Sequence, residues 1–210
     1  VLVGVPIGFL VAVFQAEFIP DRIGRWIRMG IDLLAGIPSV VYGFFGLMVI
    51  VPIVKQVFDV PSGSSLLAAI IILAIMMLPT VISIAETSMR AVPRAYREGS
   101  LALGATKMQT AWRVVFPAAR SGVIAGAILG TSRAVGETMA VIMVAGNSVQ
   151  VPSKITDGVR TLTATIALEM GYAQGRHNRM LFSVGIVLFA MILLLNWGIL
   201  VMKKRMTEES

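Results

Sequence analysis

Five stretches of this chain are apolar over lengths that a lipid bilayer accommodates and a small soluble core does not: residues 1–16, 37–57, 66–85, 121–146 and 181–202. A hydrocarbon core takes about twenty helical residues to cross. Inside it the backbone finds no water, so each stretch must satisfy its own amides by forming a helix. Apolar residues make up 57% of the 210 positions and charged residues 14%, against roughly half and a quarter in soluble domains. The expectation is an all-α polytopic membrane helix bundle, a single transmembrane domain over 1–210 with five spans visible. The first run starts at Val1 without a methionine or a flanking charge, and is read as the remainder of a longer span in an N-terminally incomplete chain.

The charges set an orientation. Arg22, Arg25 and Arg28 lie in the segment 17–35. Arg90, Arg94, Arg97, Lys107, Arg113 and Arg120 lie in 86–120, and Lys203, Lys204 and Arg205 in the tail. The alternate side carries only Lys55, Lys154, Arg160, Arg176 and Arg179. Basic residues are retained on the cytoplasmic side, so segment 86–120 and the C-terminus are expected there. The net charge of +7 therefore reflects membrane orientation. Nucleic-acid binding is excluded, because the basic face interleaved with aromatics that it needs is missing.

Within the fourth run, Gly122, Gly126, Gly130 and Ala134 put a small residue at every fourth position, a ridge that lets helix backbones approach closely. Arg133 and Glu137 fall near the middle of the same run, four apart, where one helical turn brings them to a common face. An arginine there costs about 2.5 to 3.5 kcal/mol unless a partner or water offsets it. Two readings follow: an ion pair that fixes helix register, or an arginine lining a hydrophilic passage, its fork of donors matched to an oxyanion. Pro38, Pro52 and Pro79 fall in or beside spans and predict kinks. In the stretch 147–180, Val159, Leu162, Ile166 and Met170 follow helical spacing.

Enzymatic constellations are missing. The chain has no cysteine and one histidine, His177, which removes thiol chemistry and metal clusters built within the chain. Ser83, Thr87, Ser132 and Thr138 have no histidine at a matching spacing, and His177, in G-R-H-N-R, reads as a solvated surface residue. No G-x-x-x-x-G-K-[ST] loop is present, so no nucleotide or other cofactor is expected in this chain. The same arginine would equally suit a passive anion channel.

The polar, basic stretch between Arg90 and Arg120 is about thirty residues long, more than a connection requires. It carries Leu101, Ala105, Met108 and Trp112 at helical spacing. Glu98 is followed six positions later by Gly104, and ten positions after that by Val114-Val115-Phe116-Pro117. This resembles the cytoplasmic signature of importer permeases of the ATP-binding-cassette class: E-A-A, three residues, G, nine residues, I-x-L-P. Gly99 and Ser100 replace the alanines, Val114 the isoleucine and Phe116 the leucine. Physically, Glu98 is read as the acidic start of a short helix, Gly104 as a bend and Pro117 as the point where the chain re-enters the membrane. The segments L-L-A-G-I-P-S-V-V-Y-G-F-F-G-L at 33–47 and G-T-S-R-A-V-G-E-T-M-A-V at 130–141 resemble the phosphate-specific branch of these permeases, the PstC type, over nearly the whole chain.

The resemblance implies a type I importer permease fold, with six spans expected and five visible. It implies a multi-pass protein of the bacterial cytoplasmic (inner) membrane. Segment 86–120 would be the coupling loop, in which Glu98, Gly104 and Pro117 engage an ATPase that comes in two copies and carries ATP and Mg. The other implied partners are a second related permease, an extracytoplasmic phosphate-binding protein and membrane lipid. Arg133 and Glu137 match the charged pair of the transport pathway, and no catalytic residue is implied. The expected function is translocation of inorganic phosphate, with another oxyanion such as molybdate or sulfate as the alternative cargo.

Overall fold

The computed structural model describes the backbone of residues 1–208 and the side chains of 1–198. In chain order the helices are α1 (Gly4–Glu17), α2 (Asp21–Ala35), α3 (Ser39–Phe58), α4 (Leu66–Arg90), α5 (Arg94–Ala102), α6 (Lys107–Val135), α7 (Met139–Val144), α8 (Leu162–Glu169) and α9 (Gly175–Glu208). Among the described residues the only strand-like pairing is a single bridge between Gly146 and Val159, so the all-α expectation holds. Helices α3, α4, α6 and α9 are long and apolar enough to cross a membrane. The run 1–16 becomes a helix of 14 residues, about 21 Å at 1.5 Å per residue, and so the five expected spans become four and one short helix. Lys203, Lys204 and Arg205 lie outside the residues whose side chains are described.

Two compact units emerge. The first gathers Val1–Gly36, Met77–Thr131 and the last turns of α9. Its core joins Ala12 and Val13 of α1, Ile31 of α2, Ile82, Ala85 and Met89 of α4, and Val115, Ala119 and Val123 of α6. The glycine ridge does what its spacing predicts. A Cβ added to Gly130 would stand 2.6 Å from Val81 Cγ2, and one on Gly122 would stand 2.0 Å from Ser88 Oγ. Only a missing side chain lets α6 and α4 approach this closely. Phe9 of α1 seals the other flank of α6, with its ring centroid 5.7 Å from that of Trp112 and 4.9 Å from that of Phe116.

This unit also holds an ion cluster that hydropathy alone does not reveal. Glu86, 1% exposed, accepts from Arg28 Nη2 at 2.6 Å and from Arg90 Nε at 2.8 Å. Arg90 donates further to Asp21 Oδ1 and to the Gln15 carbonyl, both at 3.0 Å. One buried carboxylate thus ties α2 to α4, and Arg90 ties the end of α4 to the start of α2. The segment 17–35, expected as a basic loop, is for the most part helix. Its apolar residues recur with a helical period but form no long continuous run.

Two membrane helices contain a wide π-helical turn, Gly46–Ile50 in α3 and Ala111–Val115 in α6. Each is followed at the second position by a proline, Pro52 and Pro117. A proline cannot bond the carbonyl four residues back and its ring crowds that carbonyl. A widened turn just ahead of it relieves both problems. Pro38 does something else: it precedes α3 and caps it from an extended conformation. Pro79 lies inside α4.

The second unit gathers Ile37–Met76 and Ser132–Trp197. It begins α4 with its first-turn amides satisfied. Ser65 N–H donates to the Val144 carbonyl at 2.9 Å, Leu66 to Asp157 O at 2.9 Å and Leu67 to Ile155 O at 2.8 Å. The buried Ser65 Oγ accepts from Ala68 N–H at 3.2 Å. Those are the four donors a helix start leaves orphaned. The stretch 147–180 therefore serves partly as the cap of α4. Its helix α8 starts at Leu162, after Thr161 Oγ1 accepts the Ala164 amide, so Val159 falls outside the helix that its spacing with Ile166 suggested. His177 is only half exposed; its Nε2 lies 3.0 Å from Glu169 Oε2, and its ring stacks on Tyr172.

Two stability outcomes follow. Gly130→Val drives a branched side chain into Val81 and is expected to cost about 1 to 3 kcal/mol, whereas Gly185→Val in α9, with nothing within 4 Å, does not share that cost. Thermal unfolding in detergent separates the two. Glu86→Ala leaves two guanidinium groups without their shared carboxylate and should cost about 3 kcal/mol, the lower end for a broken buried pair, because the Arg28 side chain is 42% exposed and reaches water. The same melt checks it.

Candidate functional site

The charged pair of the fourth span is not arranged as its spacing predicts. Helix α6 ends at Val135, so Arg133 sits in its last turn and Glu137 lies beyond it, in a three-residue interruption before α7. The backbone turns through Gly136 N–H to Ser132 O at 3.2 Å, and resumes with Ile142 N–H to Thr138 O at 2.9 Å. Glu137 Oε1 accepts the Ala140 amide at 3.0 Å, capping α7. Thr163 of α8 donates to the Glu137 carbonyl at 3.2 Å. The expected four-residue helical pairing is lost because Glu137 is spent on the new helix start. Among the described residues no carboxylate lies within ion-pairing distance of Arg133.

Arg133 does act electrostatically on a neighbouring element. Its charge acts on Tyr42, 6% exposed, from α3. Tyr42 belongs to the G-I-P-S-V-V-Y-G stretch, which the sequence reading singled out without assigning the tyrosine a role. The neighbouring Gly43 explains how α3 comes so close: a Cβ there would stand 2.8 Å from Ala140 Cα and 2.8 Å from Met143 Sδ. The two segments that carried the finer resemblance, 33–47 and 130–141, therefore meet at one place in the second unit. Ser132 Oγ donates to Asn196 Oδ1 of α9 at 3.2 Å, bordering the same turn.

The chemistry available there is anion recognition. Arg133 is half-buried, at the C-terminal end of a helix, where a positive charge is favoured. Non-helical backbone inside a span is tolerated where protein buries it or water lines it. A guanidinium beside such an interruption, with no carboxylate partner among the described residues, is suited to hold an oxyanion through two parallel hydrogen bonds. Among the described residues no group of three or more His, Cys, Asp or Glu side chains could hold a metal ion.

The other candidate residues lie in the first unit. Only 91–106 of the segment 86–120 lies outside α4 and α6, and α5 fills its middle. Glu98 is the fifth residue of α5, exposed and away from the first turn; Pro93 starts the helix, so the reading of Glu98 as its acidic beginning is corrected. Gly104 has φ of +82°. No atom lies within 4 Å of an added Cβ, so backbone conformation, not space, requires glycine. Thr106 and Gln109 then form a reciprocal capping box that starts α6. Pro117 lies well inside α6, and the chain has already returned to helix at Lys107. Leu101, Ala105, Met108 and Trp112 are split across two helices and the turn between them, so they form no single stripe.

Arg97, which sequence reasoning passed over among its basic neighbours, fixes α5 in place. It pairs with Glu17 at 2.8 Å and donates to the carbonyls of Met89 and Val92, each at 2.7 Å. The remaining surface of α5 and its following turn, with Tyr96, Glu98, Leu101 and Leu103, is exposed. The result is a rigidly held short helix presenting a mixed apolar and charged face.

Known proteins show similar sequences and folds. The chain is 43% identical to the probable ABC transporter permease protein YqgH of Bacillus subtilis, over 90% of this chain and 62% of that protein. It is 39% identical to the phosphate transport system permease protein PstC of Xylella fastidiosa, over 90% and 64%. It is 33% identical to the probable PstC of Methanocaldococcus jannaschii, over 93% and 68%. The chain thus spans a little under two thirds of the length of the first two of these relatives. In fold it is similar to a chain of the MetNI methionine ABC transporter in an inward-facing conformation, at a TM-score of 0.76 and 21% identity, covering 98% of this chain and 88% of that one. Residues 4–208 match the family of binding-protein-dependent transport system inner membrane components, and this multi-pass membrane chain belongs to that family.

Proposed function

We propose that this chain is the membrane-spanning permease subunit of an ATP-driven importer of inorganic phosphate. The observation that carries the reading is the interrupted membrane helix, where Arg133 has no carboxylate partner among the described residues and Glu137 is turned to the start of α7. Glu137 is engaged by the Ala140 amide, which leaves the arginine charge for an incoming oxyanion. The relatives named as phosphate transport permeases support phosphate as the cargo. Hydrolysis of ATP belongs to a partner subunit in two copies, and α5 is the element that receives its movement. Because Arg97 locks α5 onto the ends of α1 and α4, a push on the exposed face moves those helices as well. A second related permease and an external phosphate-binding protein complete the proposed assembly. Segment 86–120 and the C-terminus face the cytoplasm, by the distribution of basic residues.

In vesicles containing the full complex, Arg133→Ala is expected to lower phosphate uptake at least tenfold, and Arg133→Lys to retain part of it, since lysine keeps the charge but not the fork. Uptake of labelled phosphate measures this, and an unchanged rate would remove Arg133 from the pathway. Excess sulfate or molybdate should not compete with phosphate; equal competition would favour the alternative cargo. Glu98→Arg reverses an exposed charge on α5. It is expected to leave basal ATP hydrolysis intact while abolishing its stimulation by the binding protein. Retained stimulation would count against α5 as the coupling element.

A further inference from the structure

Helix α2 is too short and too polar to cross a membrane, yet it is sharply two-sided. At about 100° per residue, Ile23, Trp26, Ile27, Gly30, Leu33 and Leu34 fall on one continuous arc. Arg22, Arg25, Arg28 and Asp32 fall on the opposite one. Trp26 is 74% exposed and Leu33 70%, so the apolar arc does not face the unit's own core. That core is met along a third line, where Gly24 and Ile31 are buried. A helix packed sideways against its protein, with an apolar arc on one hand and arginines on the other, has the form of an element lying in the membrane–water interface. Tryptophan is the side chain most at home at that depth.

Beside this helix is a hollow of about 230 Å³ lined by Asp21, Gly24, Arg25, Arg28 and Arg90. It is smaller than the roughly 300 Å³ at which drug-sized sites begin, and so is sized for a single compact group. Its charges do not cancel. Arg28 and Arg90 share Glu86, and Arg90 also reaches Asp21, but Arg25 has no carboxylate partner among the described residues. Three guanidinium groups against two carboxylates leave one positive charge. That is the complement of one phosphodiester, and with the apolar arc turned toward the acyl layer the opposite, polar side of α2 stands at the level of the lipid headgroups.

We propose that α2 lies in the membrane interface with the face of Trp26 against the acyl layer, and that the hollow bounded by Asp21, Arg25, Arg28 and Arg90, on its polar side, binds the headgroup phosphate of an anionic phospholipid. This site is separate from Arg133 and independent of the transported anion. A singly negative lipid such as phosphatidylglycerol matches its charge; zwitterionic phosphatidylcholine does not.

The test uses the full-length protein purified with its partner subunits, exposed to equimolar phosphatidylglycerol and phosphatidylcholine and examined by native mass spectrometry. The wild-type protein is expected to retain phosphatidylglycerol preferentially. Arg25→Gln should reduce that preference about fivefold, the effect of one basic residue near an anionic surface, and Arg25→Lys should retain most of it. Arg22→Gln, on the same helix but outside the hollow, should change it little. Equal losses for Arg22→Gln and Arg25→Gln would mean diffuse attraction and would overturn the site. Displacement of the lipid by excess inorganic phosphate would make the hollow a free-anion site and overturn the lipid assignment. No preference in the assembled complex, with a partner subunit covering Trp26, would overturn the interfacial placement.

Discussion

Hydrocarbon offers a backbone amide no partner, and the irregular places in this chain are where that demand is hardest to meet. The start of α4 meets it with the carbonyl that ends α7, two carbonyls from the stretch after it and one serine hydroxyl. The interruption between α6 and α7 meets it with a turn bonded to Ser132 and a glutamate side chain that replaces the missing helical acceptor. Glu137 is therefore a backbone device before it is a charge. This explains why an arginine and a glutamate four residues apart do not pair.

The same demand sorts the arginines. Three of the first unit are tied up: Arg28 and Arg90 converge on Glu86, and Arg97 spends its donors on Glu17 and two helix-end carbonyls. Such arrangements cost desolvation and return rigidity of position. Arg133 has no carboxylate partner among the described residues, and its charge acts on the buried Tyr42. Within a membrane helix, the charge left without an opposite is the one whose presence needs a functional reason.

Long-range features of the sequence were legible where the physics is one-dimensional. The apolar runs gave the long helices, and Gly122, Gly126 and Gly130 gave the face that α6 turns to α4. The helix stop at Val135 was not legible, because A-V-G-E-T-M-A-V stays apolar through a turn that is set by the cap on Ala140 and by Thr163 from a distant helix. Helix α2 was missed for the opposite reason: its apolar residues are never adjacent in long runs, so only their angular period shows them. Glu86 looked like the polar edge of a span, yet it is buried because two arginines reach it from different helices. Tyr42 lay in a segment already singled out, but nothing within that segment points to Arg133, which comes from another part of the chain.

The wide turns ahead of Pro52 and Pro117 have a consequence for how the chain tolerates change in length. A π-helical turn is an α-helix that has taken in one extra residue. Everything after it is rotated by about 100° relative to an uninterrupted helix. The glycine ridge of α6 lies after such a turn, so its aim at Val81 depends on the extra residue being absorbed at 111–115. Loss of a single residue there would close the turn to a regular helix with Gly126 and Gly130 still facing α4, whereas a regular helix that kept every residue would turn them away. In this protein a helix without a flaw would be a helix with the wrong face inward.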